Sequence, residues 1–237
     1  MKSVSRFQKN CIRIALTAVL VSFFSLQSLA QLSGTKTIDQ SGAGDYISFT
    51  AAVNALIAQG VNGAVIFDVV DEDYNEQINI PVIQGASETN TITFQGNETD
   101  STLVRLYYSA GSSSNNYVVF LDGVSHIVFR KMTLQATGTS YARVILLDNS
   151  ADSLKIENCR LLGLSTTSTS SNVAIIYSYN DKHDDMIIQN NLIKDGSFGI
   201  DIDKTSSYTS SNVQILNNTF WNQAQYAIKI DYEDKMS

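Results

Sequence analysis

Carboxylates recur at the ends of short apolar runs, and they are the residues of this 237-residue sequence best placed to do chemistry. Val119-Phe120-Leu121-Asp122, Ile145-Leu146-Leu147-Asp148, Ile175-Ile176-Tyr177-Ser178, Ile200-Asp201-Ile202-Asp203 and Ile228-Lys229-Ile230-Asp231 align as one family, with starts 26, 30, 25 and 28 residues apart. In that alignment Asp122, Asp148, Ser178, Asp203 and Asp231 form one column. Asp201 adds a carboxylate on the same strand face as Asp203. Carboxylates stacked about 4.8 Å apart repel by about 1 kcal/mol even at water's dielectric. Lys229, in register with Asp201, offsets part of this. A calcium ion held by Asp201, Asp203 and Asp231 would offset more, because that cation takes oxygen ligands. These three and Asp148 are the candidate ligand-binding residues. The plainer expectation is that each strand-end Asp caps the turn after it.

The other reactive side chains lack partners. A nucleophilic Cys159 needs a basic or histidine neighbour. Neither His126 nor His183 supplies one by register, so Cys159 is expected to be a small buried hydrophobe. His183-Asp184-Asp185 sets a histidine beside two carboxylates in a connection, where a solvated polar turn is expected. Arg105, Arg130, Arg143 and Arg160 are scattered. None adjoins Asp201 and Asp203 by register, although Arg143 lies on the strand leading to Asp148.

These residues depend on elements that repeat. Nine-residue segments starting at His126, Ser153, Asp185 and Asn212 align without gaps. Their apolar second positions, Ile127, Leu154, Met186 and Val213, lie 27, 32 and 27 apart and are expected to stack in parallel register. Short strands of this spacing with no helix between them bury their apolar sides only when successive turns of chain stack. An antiparallel sandwich would need frequent two-residue hairpin signals; the connections here are irregular and rich in Ser, Thr and Asn. Phe120, Leu146 and Ile176 alternate with the inward positions and are expected to form an outward apolar ladder. The segment Leu164 to Asn172, a partner or sugar rings would cover it. From the Asp column to the next strand the turns lengthen, from 5 to 6, 8 and 10 residues, as around a groove.

Residues 48–60 differ. Asp45 or Ser48 can cap a helix that gathers Phe49, Ala52, Val53, Leu56 and Ile57 on one face and stops at Gly60. Such a helix suits the open end of a strand stack. With the strands that follow, from Gly63 to Phe94, residues 34–231 resemble the secreted bacterial right-handed parallel β-helix proteins of the pectin-lyase-like superfamily. The resemblance implies an all-β solenoid with a short N-terminal capping helix. It also implies an asparagine ladder at a tight bend, drawn from Asn158, Asn190 and Asn217 in one column and Asn191 and Asn218 in the next. It leaves function open, because that fold hosts lyases, hydrolases, epimerases and surface stalks.

The first 30 residues carry Lys2, Arg6, Lys9 and Arg13, then an uncharged apolar run, then Ser28-Leu29-Ala30. This is the pattern of a cleaved export signal, too short in its apolar core for a membrane span. Cys11 lies inside it. Removing it takes four of 16 basic and none of 23 acidic residues, leaving 207 residues with net charge −11. That charge disfavours nucleic acid and anionic membranes, and an acidic polysaccharide would need local basic residues or bridging cations. The expected organisation is signal 1–30, lead-in 31–47, capping helix 48–60 and β-helix 61–237. Further C-terminal rungs or a sorting domain are expected beyond it. The favoured function is a secreted or cell-surface module, non-catalytic, either adhesive or binding a polysaccharide or cell-surface glycan. The alternative is a polysaccharide lyase or glycoside hydrolase acting on acidic polysaccharide, for which no convergent Arg and Asp set is visible.

Overall fold

The computed structural model describes residues 30–179, 181–203 and 210–231. The export signal expected in residues 1–30 lies almost wholly outside them. Among the described residues no helix is long and apolar enough to cross a membrane.

The chain winds through three parallel sheets. Sheet 1 contains Ile78–Pro81, Val119–Asp122, Ile145–Asp148, Ile176–Tyr179, Phe198–Asp203 and Tyr226–Ile230. Sheet 2 contains Leu32–Ile38, Val61–Val69, Ile92–Gln95, Ile127–Arg130, Lys155–Glu157, Ile187–Gln189 and Gln214–Leu216. Sheet 3 contains Asp73–Asn75, Arg105–Tyr108, Thr133–Ala136, Arg160–Leu162, Leu192–Lys194 and Thr219–Trp221. Each turn of the coil visits sheet 1, sheet 2 and sheet 3 in that order. All strand pairs are parallel, as the interval of the repeats requires. Ile127, Leu154, Met186 and Val213 are buried in one column, in the expected register.

The core lies inside the coil, where alternate strand residues point. In sheet 2, Phe67, Phe94 and Phe129 stack face to face, with ring centroids 5.0 and 5.3 Å apart, and the column continues as Ile156 and Ile188. Like side chains over like is what a parallel register imposes, and it lets flat rings pack without voids.

The helix spans Phe49–Gln59. The Ser48 hydroxyl accepts the Ala51 amide at 3.0 Å, and the Glu76 carboxylate accepts the amides of Phe49 and Thr50 at 3.0 and 2.8 Å. Gly60 closes it at φ 66, where a Cβ would stand 2.6 Å from the Gln84 carbonyl oxygen. Phe49, Ala52, Val53 and Leu56 are buried, but Ile57 is 51% exposed, so the apolar face is narrower than the sequence suggested. The lead-in also holds an unforeseen strand, Leu32–Ile38, paired with Val61–Val69. Its sequence Leu-Ser-Gly-Thr-Lys-Thr-Ile carries almost no alternation to betray it.

The bend between sheets 2 and 3 settles the two asparagine columns. Lys131, Asn158, Asn190 and Asn217 adopt left-handed backbone, φ 53 to 56, and the three asparagines are exposed. Asn tolerates this conformation better than most residues. The residues after them point inward. Asn191 Oδ1 accepts the Cys159 amide at 2.8 Å, and Asn218 Oδ1 accepts the Asn191 amide at 2.9 Å. Asn191 Nδ2 donates to the Ile156 carbonyl and Asn218 Nδ2 to that of Ile188. The side-chain ladder is therefore Asn191 over Asn218, whereas Asn158, Asn190 and Asn217 serve the bend through their backbone.

Candidate functional site

The outer face of sheet 1 is where sequence and structure diverge most usefully. Ile145 pairs with Ile176, not Ile175, so Tyr177 rather than Ile176 follows Leu146 in the outward column. That column runs Asn79, Phe120, Leu146, Tyr177, Asp201 and Lys229. Ile176 faces the core, and Ser178 is buried rather than aligned with the strand-end aspartates. A signal for the true register exists. Val118-Val119, Val144-Ile145 and Ile175-Ile176 are consecutive buried pairs at the start of each strand, because the chain turns a corner there. Aligning those pairs places Tyr177 correctly.

The corrected register brings a charged cluster together. The Arg143 guanidinium lies over the Tyr177 ring, 3.7 Å from its centroid. Such stacking suits a planar, weakly hydrated cation. Arg143 Nε donates to the Ser171 carbonyl at 2.9 Å. The Arg143 amide donates to Oδ1 of the buried Asn116, whose Nδ2 reaches the Asn172 carbonyl at 2.8 Å. The Ser/Thr-rich segment thus meets this face through its last residues. Burial pulls the Arg143 pKa below its usual value, while Tyr177 and the Asp201 carboxylate oppose that shift. Asp201 itself is buried, its side chain 4% exposed, and Lys229 Nζ stands 3.5 Å from its Oδ1. Farther along the face, the Tyr117 and Phe120 rings are 5.2 Å apart. Arg143, separated from Asp201 in the sequence reading, converges on it here.

Of the four candidate ligand residues, the side chains of Asp148, Asp201 and Asp231 are described. Asp148 is exposed and its Oδ1 accepts the amide of Asn149 at 2.9 Å, while Asp122 accepts the Asn149 side-chain amide at 2.6 Å. Asp148 thus holds the turn after it, while Asp122 ties to the next rung through a side-chain contact. Asp203 pairs through its backbone with Tyr179; its side chain lies outside the described residues. Lys229 Nζ is also 3.5 Å from Asp231 Oδ2, so one ammonium lies between the Asp201 and Asp231 carboxylates. Among the described residues, no three His, Cys, Asp or Glu side chains gather as metal ligands.

The turn at His183 is not solvated as expected. His183 and Ser178 are both fully buried, with Ser178 Oγ 2.6 Å from Nε2 and the Ala151 carbonyl 3.1 Å from Nδ1. A carbonyl only accepts, so Nδ1 carries a proton and donates it to Ala151. Both side chains of the pair are buried. Beside it, Asp152 Oδ1 accepts the Asp184 amide and Asp184 Oδ1 accepts the Ser211 amide, both at 2.7 Å, forming a second polar ladder.

No protein-family model and no curated protein matches this sequence. Solved structures do match its fold. A pectin methylesterase mutant bound to a hexasaccharide has a TM-score of 0.52 at 10% identity, covering 78% of this chain and 67% of that one. Carrot pectin methylesterase scores 0.52 at 16% identity, covering 79% of this chain and 54% of its own. The Erwinia chrysanthemi pectin methylesterase scores 0.52 at 9% identity, with coverages of 80% and 56%. The fold is therefore a parallel β-solenoid like that of these structures. The chain spans about half to two thirds of the length of these neighbours.

Proposed function

We propose that this protein is exported and engages an acidic polysaccharide along the outer face of sheet 1. In this reading Arg143 holds the carboxylates of uronate-type sugars, and Phe120 and Tyr177 offer rings for sugar faces. The observation that carries it is the Arg143 guanidinium laid over Tyr177 beside Asp201 and Lys229. An overall acidic chain has to supply local cations to meet a polyanion: Lys229 is shared with Asp201 and Asp231, and the Arg143 guanidinium is the charge this face offers a uronate. A second reading, hydrolysis at the same place, is favoured by Asp201, a buried carboxylate flanked by cations and suited to act as base or nucleophile. The solved neighbours are pectin methylesterases, which agrees with either reading.

Calorimetry with oligogalacturonates of low and high methyl esterification is the test. Arg143→Ala should weaken binding about tenfold or more, the loss expected for a charge-assisted hydrogen bond. Rising salt should weaken it further. Release of methanol or of new sugar ends that Asp201→Asn abolishes, with binding retained, would establish the hydrolytic reading. No binding by the folded protein, or binding indifferent to Arg143→Ala, would refute the proposal.

A further inference from the structure

A concavity of about 440 Å³ lies at the bend between sheets 2 and 3. Sheet 1 closes the third side of the coil, so this corner faces away from the Arg143 cluster. Its floor comes from the left-handed column: Lys131, Asn158 and Asn190 project outward on successive rungs, about 4.8 Å apart. Arg160, at the start of its strand in sheet 3, forms one wall. The other is the loop carrying Glu98 and Asp100, which folds back over the bend. That loop is held by its own side chains. Asn97 Oδ1 accepts the amides of Thr99 and Asp100, and Asp100 Oδ1 accepts the Thr102 amide and hydroxyl.

Two features separate this corner from an ordinary solvated turn. Lys131 is paired with Glu98, whereas Arg160 makes no side-chain hydrogen bond or ion pair among the described residues. The amides of Asn158 and Asn190 are exposed, because the inner ladder of Asn191 and Asn218 already performs the structural task. The corner thus presents donors (the Arg160 guanidinium and two amide NH₂ groups) and acceptors (Asp100 and two amide oxygens) around one space. Two cations balance two anions, so there is no net field to select a charged ligand. A neutral molecule with vicinal hydroxyls is the complement, since each hydroxyl both donates and accepts.

We propose that this corner is a neutral-sugar site, independent of the face proposed for acidic polysaccharide. The protein would then hold two kinds of glycan on opposite sides of the coil.

The experiment titrates the full-length protein with neutral oligosaccharides built of galactose, glucose or xylose, followed by calorimetry and by amide chemical shifts. At least one should bind saturably, with an affinity that changes by no more than about twofold between low and high salt. Arg160→Ala should weaken it about tenfold or more. So should the double change Asn158→Gly and Asn190→Gly. Glycine keeps the left-handed backbone and removes only the amides, so the bend still forms. Arg143→Ala should leave this binding intact, which separates the present proposal from that for sheet 1. Absence of saturable binding at millimolar sugar would overturn it. Binding that survives both sets of changes, or that Arg143→Ala abolishes, would overturn it equally.

Discussion

Cys159 shows how one neighbour-to-neighbour relation fixes a residue's chemistry. Its thiol is buried at the inner side of the bend, its amide is held by Asn191, and burial pushes its pKa up to about 12. A thiol that stays protonated does not attack alkylating reagents. Residue-specific mass spectrometry should find Cys159 unmodified by iodoacetamide at pH 8 in the native protein and modified once denaturant is added. Native labelling at the rate of a free thiol would contradict this placement. The sequence reading of Cys159 as a small hydrophobe needed only its repeat position. The Ser178–His183 pair was not legible, because a serine and a histidine five residues apart face each other only once a strand ends inside the coil and the next turn folds back.

Among the elements, the corner ladder of Asp152, Asp184 and Ser211 makes a pH-dependent prediction. Burial raises the Asp152 pKa above 3.8, helped by the nearby Asp184 charge. The folded state therefore binds that proton more tightly than the unfolded chain. The stability so gained is fully present below pH 3.8 and is lost as the pH rises through the folded pKa. Asp184 is the reverse: Lys182 and Ser211 outweigh its burial and lower its pKa. Its stabilisation is present above pH 3.8 and lost as the pH falls through the lowered value. Thermal melts should show Asp152→Asn raising the midpoint at pH 7 and changing little at pH 3, since Asn keeps an oxygen for the Asp184 amide. Asp184→Asn should lower the midpoint at pH 7. The same sign for both at pH 7 would refute the assignment.

At the scale of the molecule, a coil of stacked rungs contacts only its neighbours, so stability should be graded along it. Ile145–Asp148 is paired on both sides and sits in the middle of sheet 1. Tyr226–Ile230 is paired on one side only among the described residues, with Tyr226 54% and Ile228 39% exposed. Hydrogen exchange should therefore be fastest in the amides of 226–230 and slowest around Phe94 and Phe129. Uniform protection from rung to rung would show a single cooperative unit instead.

The sequence by itself determined the architecture. Alternation of period two, the near-constant interval between strands and the asparagines at three successive bends all record a constraint that acts rung after rung. It also set the helix, which is local, and narrowed its cap to Asp45 or Ser48, of which the structure uses Ser48. What it could not decide was parity at the corners. Both residues of Val144-Ile145 and Ile175-Ile176 are inward because the chain turns between them. A shift of one residue there sends Ser178 inside, brings Tyr177 out and places Arg143 over it. Which asparagine column faces the core was undecided for the same reason. The sites depend on residues whole rungs apart in sequence and about 4.8 Å apart in space, and only the closed coil sets that register.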